Sequence, residues 1–470
     1  METAPIVTHY LSLETSKAGL LQLRHLNPVN SNKKNTRRRS SLSSVESIDR
    51  LKRRLTIPWR SKSHASKDDP CTVPGSRCAG NSLSSTTSAI FKLPIEVLTQ
   101  ILLQVDNYMS VLEFTSACQL FHTLFHNDDS LWRSLLRRRL AFSHDTYPAP
   151  FRKCRELCQD YKVLERRWHE GRDTVANRLQ GHTSSIYTLL HLDPNTLVSG
   201  GRDRAILVWD MNSLRCVHRI HDAHNASVLC LATDGNVVVS GSSDGTCAIW
   251  SRDTWTVQQR IDVSHSAILD VCCGAAWIGI ATGAHIYIWR RDPTGLYKQY
   301  CDLSSGFHTR AVNAIDMVDD STLVSASADG VVAVWDVHTG ERRWASDAGT
   351  SLACVRGVKD IIYAGGQDGR LEAYKADSGK VLWTSRVSHL GVVRAVDCFQ
   401  DKYLATGGYD KTMRVWDAGT GKCMLTLQQA HEGPIFNIAM SRTRIISGGQ
   451  DKSMMVVDFA NALHPSIRHL

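Results

Sequence analysis

The sequence predicts a mainly β protein whose bulk is seven repeated sheet units, preceded by a small helical module and a basic tail. Three observations carry this. The stretch Ser199 to Asp210, SGGRDRAILVWD, returns at 240–251, 325–336, 364–375, 406–417 and 447–458, with a shorter copy at 281–290. In every full copy a small or hydroxyl residue precedes a turn Asp by four positions and an aromatic or apolar anchor by ten. The anchors Trp209, Trp250, Trp289, Trp335, Tyr374, Trp416 and Val457 lie 41, 39, 46, 39, 42 and 41 residues apart. Apolar residues alternate around the Gly/Asp turn, as Ile206 and Val208 do after Asp203, which is strand periodicity. One such sheet leaves a face open, and radial stacking of seven covers both faces of each.

Upstream of most copies stands a small residue followed by His: Gly181-His182, Ala223-His224, Ser264-His265, Ser388-His389 and Ala430-His431, with Phe307-His308 as a variant. With the Trp-Asp endings and the period near forty, 174–460 resembles the WD-repeat family. The resemblance implies a seven-bladed β-propeller of four-stranded blades, in which each repeat donates its first strand to the blade before it. Twelve residues follow Asp458, too few for that strand, whereas 174–180 has no other role. Residues 174–180 are therefore expected to close the seventh blade and remove an open edge.

Residues 1–90 form the Ser/Arg-rich tail. The chain carries 55 Lys and Arg against 46 Asp and Glu, and the whole net charge of +9 falls in this stretch. The neutral remainder argues against nucleic acid as a partner, because phosphate-backbone binding needs many Lys and Arg on one face. Rich in Ser, Asn and basic residues, 1–90 is expected to be disordered. Its clusters Lys33-Lys34, Arg37-Arg38-Arg39 and Arg50 to Arg54 suit an acidic import receptor or simply a solvated tail. A nuclear or cytoplasmic location, or both, follows. Fourteen cysteines without repeating spacing point to a reducing compartment and to no metal site, and no cofactor is expected. No run of eighteen apolar residues occurs, so no membrane span is expected.

At 91–140 the texture becomes helical. Pro94 suits a first turn, and Val97, Leu98, Ile101, Leu102 and Val105 recur at helical spacing. Ser110 with Glu113 reads as a capping box opening a second helix through Phe125, and Asp128 or Asp129 as the cap of a third. So short a bundle holds more large apolar residues than it can cover. The order Leu93, Pro94, Ile95, Val97, Leu98, Ile101, Leu102, Cys118, Leu131, Trp132 resembles an F-box, which docks onto the Skp adaptor of cullin-based ubiquitin ligases; Val105 and Met109 stand where that motif often has leucines. The resemblance makes Leu93, Pro94, Ile95, Val97, Leu98, Ile101, Leu102, Leu131 and Trp132 adaptor-binding, with Skp and cullin as partners. Residues 141–173 form a helical linker, amphipathic over 151–169 and ending at Gly171, and 461–470 a C-terminal tail.

The sets His182, Ser199, Asp203, Trp209; His224, Ser240, Asp244, Trp250; His308, Ser325, Asp329, Trp335; and His389, Thr406, Asp410, Trp416 invite a hydrolase triad. Repetition argues against it: one site needs one set, and His431, Ser447, Asp451 make a fifth. The resemblance implies structural hydrogen-bond networks instead, and no catalytic residue. The third unit, without the turn Asp, and the fifth, without His, should be looser.

The resemblance places ligands over the narrow face, at the fifth residue after the His and the residue before the turn Asp. Units six, seven and one then offer Arg394, Tyr409, Phe436, Gln450, Tyr187 and Arg202, an aromatic and arginine mixture suited to a protein substrate. The remaining units offer Leu229, Ser243, Asp270, Asn313, Ala328 and Gln367. An F-box ahead of a WD propeller resembles the substrate receptors of Skp–cullin–F-box ligases, which implies a non-catalytic subunit. The alternative is a scaffold whose F-box only docks.

Overall fold

The computed structural model describes residues 9–15, 21–25, 93–105, 108–116, 119–126, 129–140, 154–385, 388–399 and 402–468. The chain divides into two compact units, Asn32–Lys162 with Met1–Thr3, and Val163–Leu470 with Ala4–Ser31.

Among its described residues before Cys154 the first unit holds four short helices where three were expected: α1 (Ile95–Gln104), α2 (Tyr108–Ser116), α3 (Gln119–His126) and α4 (Asp129–Leu140). Pro94 is the N-cap of α1, and its carbonyl accepts from the amides of Val97 and Leu98. Ser110 lies inside α2, so the capping box read at Ser110 and Glu113 does not open that helix. The core gathers Val111, Leu112, Phe121, Phe125, Leu131, Trp132 and Leu135. The Trp132 indole N–H donates to the Phe125 carbonyl at 2.7 Å, so this large side chain is buried with its polar group satisfied. The helix α5 (Cys154–Glu170) starts in this unit, where Arg155 Nη2 donates to Ser116 Oγ at 3.3 Å.

The second unit is a seven-bladed propeller. Five blades are separate four-stranded antiparallel sheets covering 186–220, 228–262, 268–302, 312–347 and 352–385. Their middle strands are buried on both faces, and their outer strands alternate with solvent. Apolar clusters form between neighbouring blades, as where Leu207 and Trp209 of the first meet Ile446 and Val456 of the seventh. The expected closure is present: β3 (Val175–Gln180) pairs antiparallel with β30 (Ser453–Asp458), from Val175 opposite Asp458 to Gln180 opposite Ser453.

Within the tail the structure departs from expectation. Residues β1 (His9–Thr15) and β2 (Leu21–His25) form an antiparallel hairpin rather than disordered chain. The strand β1 pairs in parallel with β27 (Lys422–Leu427), the outer strand of the sixth blade, and β2 pairs with β3 of the seventh. Blades six and seven thereby become one ten-stranded sheet. Leu11 and Leu13 alternate with polar residues, but five to seven residues are too few to hold a strand without a waiting edge. Averaged over ninety residues, this short signal disappears. The basic clusters from Lys33 to Arg54 lie outside the described residues.

The last turn of α5 packs in the propeller unit. Trp168 stacks between Tyr403 and Phe459, with centroids 5.0 and 3.9 Å away, and its N–H donates to Arg442 O. The helix ends as expected at Gly171, left-handed at φ +69. The C-terminal segment is tied down: Pro465–Arg468 forms a 3-10 turn, Ile467 is buried, and Arg468 pairs with Asp458 at 3.0 Å.

Candidate functional site

The networks of the first, fourth and sixth blades have the same logic. In the first, Trp209 Nε1–H donates to Ser199 Oγ at 2.8 Å, so the hydroxyl proton is directed to His182 Nε2 at 2.7 Å. The other ring nitrogen, Nδ1–H, then donates to Asp203 at 2.9 Å, and Asp203 also accepts the Thr183 amide. Serine, histidine and aspartate are all spent on one another, which leaves no free nucleophile or base. The sets of His308, Ser325, Asp329, Trp335 and of His389, Thr406, Asp410, Trp416 repeat this at 2.8–3.0 Å. In the seventh blade His431 meets Asp451 and Ser447, with Val457 in place of the indole.

The second blade differs. His224 Nδ1 meets Thr246 Oγ1 at 2.9 Å and Asp244 only at 3.7 Å, while Ser240 still joins His224 and Trp250. Burial pushes His224 down to about 4, so its imidazole is neutral. The carboxyls of Asp203, Asp244 and Asp329 are lowered: burial opposes ionisation, and hydrogen bonds to the charged form outweigh it.

The two irregular blades carry substitutes. In the third, the Ser264 and Thr282 hydroxyls meet at 2.9 Å where the histidine network would be, and the Trp289 indole N–H is buried without a partner among the described residues. In the fifth, Tyr374 is fully buried and its hydroxyl donates to Glu372. The fifth is also pinned from the channel, where Arg356 reaches Asp316 of the fourth blade at 3.2 Å and Asp397 of the sixth at 3.0 Å. Those two carboxylates hold Arg356 charged. They line a cavity of about 400 Å³ together with Thr188, His191 and Asp270.

Three of the six residues expected on the substrate face do meet. Tyr187 packs against Phe436 at 5.2 Å, and Tyr409 meets the same ring edge-on at 6.0 Å. One aromatic row thus crosses the first, seventh and sixth blades. Gln450 and Arg202 are exposed in the equivalent turns, held by backbone bonds from Gln450 N to Pro434 O and Arg202 N to Ser185 O. Arg394 is not in the aromatic row, though it lines a small cavity together with Tyr187. Its Nη1 donates to Ala353 O of the fifth blade at 3.1 Å, as Asn313 Nδ2 donates to Leu352 O at 2.6 Å, because both side chains stand on innermost strands one blade away from an open carbonyl. Asp270, also expected on this face, accepts the Ile315 amide at 2.9 Å across the channel wall, and burial raises it to about 7.

Of the residues expected to bind an adaptor, Leu93, Ile95, Val97 and Ile101 are 37–45% exposed; Val97 and Ile101 lie one turn apart on one side of α1, while Ile95 begins the helix and exposed Leu93 and Pro94 precede it. Leu98, Leu102, Leu131 and Trp132 are not exposed with them, since all four are buried in the unit's own core.

Sequence reading missed Leu390, 79% exposed, whose backbone amide donates to Asp410, the residue after Tyr409. It missed also the residue after each turn Asp. Gly245, Gly330 and Gly369 take it at positive φ, but Arg204, Lys411 and Lys452 hold the same left-handed geometry at φ 63, 66 and 66. A side chain there costs about 1 kcal/mol relative to glycine. The repeat alignment shows these three substitutions on its own; the left-handed backbone gives them meaning.

A family model described as WD domain, G-beta repeat, matches residues 174–210, 214–251 and 380–417. The chain carries WD40 repeats. A second model, described as outer membrane protein assembly factor BamB, matches 302–392, the stretch that holds the histidine-less fifth repeat. Among curated proteins the WD chain is similar to F-box/WD repeat-containing protein 9 of Homo sapiens, 26% identical over 194 residues, 38% of this chain and 41% of that one. It is also similar to the ribosome biogenesis protein WDR12 homolog of Nematostella vectensis, 25% identical over 157 residues, 32% and 38% of the two chains. The chain spans less than half the length of these curated relatives. A solved structure titled "Structure of U3-55K" superposes with a TM-score of 0.54 at 17% identity, over 60% of this chain and 98% of that one, which is a likeness of fold. A WD-repeat propeller is a protein-interaction platform, generally without catalysis. Among the described residues no helix is long and apolar enough to cross a membrane, and no cluster of His, Cys, Asp and Glu suits a metal.

Proposed function

We propose that the chain is the substrate-recognition subunit of a Skp–cullin–F-box-type ubiquitin ligase. The helical unit docks the Skp adaptor through Leu93, Pro94, Ile95, Val97 and Ile101, and the propeller presents a target protein on the row of Tyr187, Phe436 and Tyr409. The observation that carries the reading is apolar exposure at α1, where Val97 and Ile101 stand one turn apart in solvent, with Leu93 and Ile95 exposed at the helix start, beside buried Leu98 and Leu102. A helix does not keep such apolar surface wet without a partner to cover it. The likeness to an F-box/WD repeat protein supports the same partner.

The test is co-purification. Val97→Ala with Ile101→Ala removes exposed surface only, so the protein stays folded and loses adaptor and cullin. Undiminished adaptor binding would overturn the docking claim. Phe436→Ala should weaken capture of the target by about 1–3 kcal/mol if the aromatic row is its anchor. Adaptor binding without accumulation of any captured protein when the receptor is deleted would make the chain a scaffold.

A further inference from the structure

We infer that the face formed by the sixth, seventh and first blades takes an acidic segment of its protein partner, an apolar residue lying on the aromatic row and flanking carboxylates meeting an arc of lysine and arginine. This rests on the reading of that face as the capture surface and adds the chemistry of what is captured.

The first observation is the left-handed turn position. Three blades fill it with glycine, the residue that suits positive φ, and three fill it with Arg204, Lys411 and Lys452. The basic three are not scattered. They occupy the contiguous first, sixth and seventh blades, the same blades that carry Tyr187, Tyr409 and Phe436. Backbone strain held in three turns around one patch marks a site where the side chain matters more than the turn.

Packing does not explain these side chains. Lys411 and Lys452 are exposed and form no ion pair among the described residues. Arg204 meets Asp222 at 2.7 Å, but both groups are more than half exposed, a pair that a better ligand can displace. Exposed Arg202 lies two residues before Arg204 in the same turn.

The carboxylates of these turns do not offset the arc outwardly. Asp203, Asp410 and Asp451 point inward, each held by its histidine and by the amide of Thr183, Leu390 or Glu432. Asp410 and Asp451 also face Arg414 and Arg178. Glu432 and Asp222 are the exposed acids in these loops, against Arg202, Arg204, Lys411 and Lys452. Inside the arc run the rings of Tyr409, Phe436 and Tyr187, with exposed Leu390 on the loop held to Asp410, next to Tyr409 in the chain. An apolar centre with a basic rim complements a peptide with an apolar anchor and acidic flanks. The arc is too short, and too interrupted by Glu432, to follow a nucleic-acid backbone.

The experiment uses the full chain and two fluorescein-labelled peptide pools of equal length. Both have a central Leu or Phe, one flanked by Asp and Glu, the other by Lys and Arg. Fluorescence anisotropy should show the acidic pool binding about tenfold tighter, with the difference shrinking as salt rises. In Lys411→Gly with Lys452→Gly the preference should shrink severalfold, Arg202 and Arg204 remaining, while the melting temperature holds or rises because glycine relieves both turns. Equal binding of the two pools by the wild type, or an undiminished preference in the glycine variant, overturns the inference. Displacement of the acidic pool by a single-stranded RNA oligonucleotide at lower concentration overturns it too. If Phe436→Ala loses the captured protein in cells and the glycine variant keeps it, the capture face stands and the acidic partner falls. If both variants keep it, the capture reading itself falls.

Discussion

Leu11 fills the space that a side chain on Gly171 would need: a Cβ there would overlap the Leu11 side chain. Gly171 ends α5 at φ +69, so the left-handed turn and the N-terminal strand are fitted to each other. Gly171→Ala should cost about 2–3 kcal/mol, from the strained φ and from overpacking. Leu11→Ala alone should also destabilise, by about 2–4 kcal/mol. The double variant should be less destabilised than the sum, because each change relieves part of the other. Strict additivity in denaturant unfolding would mean that the two residues do not touch.

The N-terminal hairpin should act as a second clasp on the ring. Deleting 1–25 exposes the edges of β27 and β3 and removes fully buried Leu11, so the melting temperature should fall. Deuterium uptake should rise at 422–427 and 175–180. An unchanged melting temperature with unchanged exchange would show that the hairpin contributes nothing to closure.

Blade networks should differ in cost according to what they leave unpaired. Ser199→Ala strands both the Trp209 N–H and His182 Nε2, whereas Ser447→Ala strands His431 Nε2 alone, since Val457 has no donor. The first should therefore be more destabilising by about 1–3 kcal/mol. Equal losses in urea unfolding would remove the indole from the account.

Acid should destabilise the propeller in two stages. Burial holds His224 and His191 at about 4, below the ordinary 6.5, with Arg444 adding to the effect at His191. The unfolded chain thus takes up protons first, so this contribution is complete above 6.5 and is lost as the pH falls from 6.5 toward 4. Asp203, Asp244 and Asp329, lowered in the folded state, add a further loss below the ordinary carboxyl value of 3.8. His191→Phe should flatten the upper stage, since neither ring nitrogen of His191 has a hydrogen-bond partner among the described residues. A melting curve equally steep in wild type and variant would show that His191 ionises freely when folded.

The sequence by itself determined the repeat, the number of blades and the closing strand, because each is written locally: a period near forty, a turn Asp four residues after a small or hydroxyl residue, and a spare strand at 174–180, observed as Val175–Gln180. It determined the histidine networks as well, apart from the exchange of Thr246 for Asp244 on His224, which depends on where two short side chains settle. Tertiary structure decided what depends on a neighbour far along the chain. His9–Thr15 becomes a strand because β27, more than four hundred residues later, offers an edge. Arg394 turns to the Ala353 carbonyl of the next blade, and Leu131 and Trp132, expected from the sequence to bind an adaptor, are buried within their own helical unit. Position in the repeat says which side chains stand near the narrow face. Which of them stay in solvent is set by the hydrogen-bond partners that the next blade brings within reach.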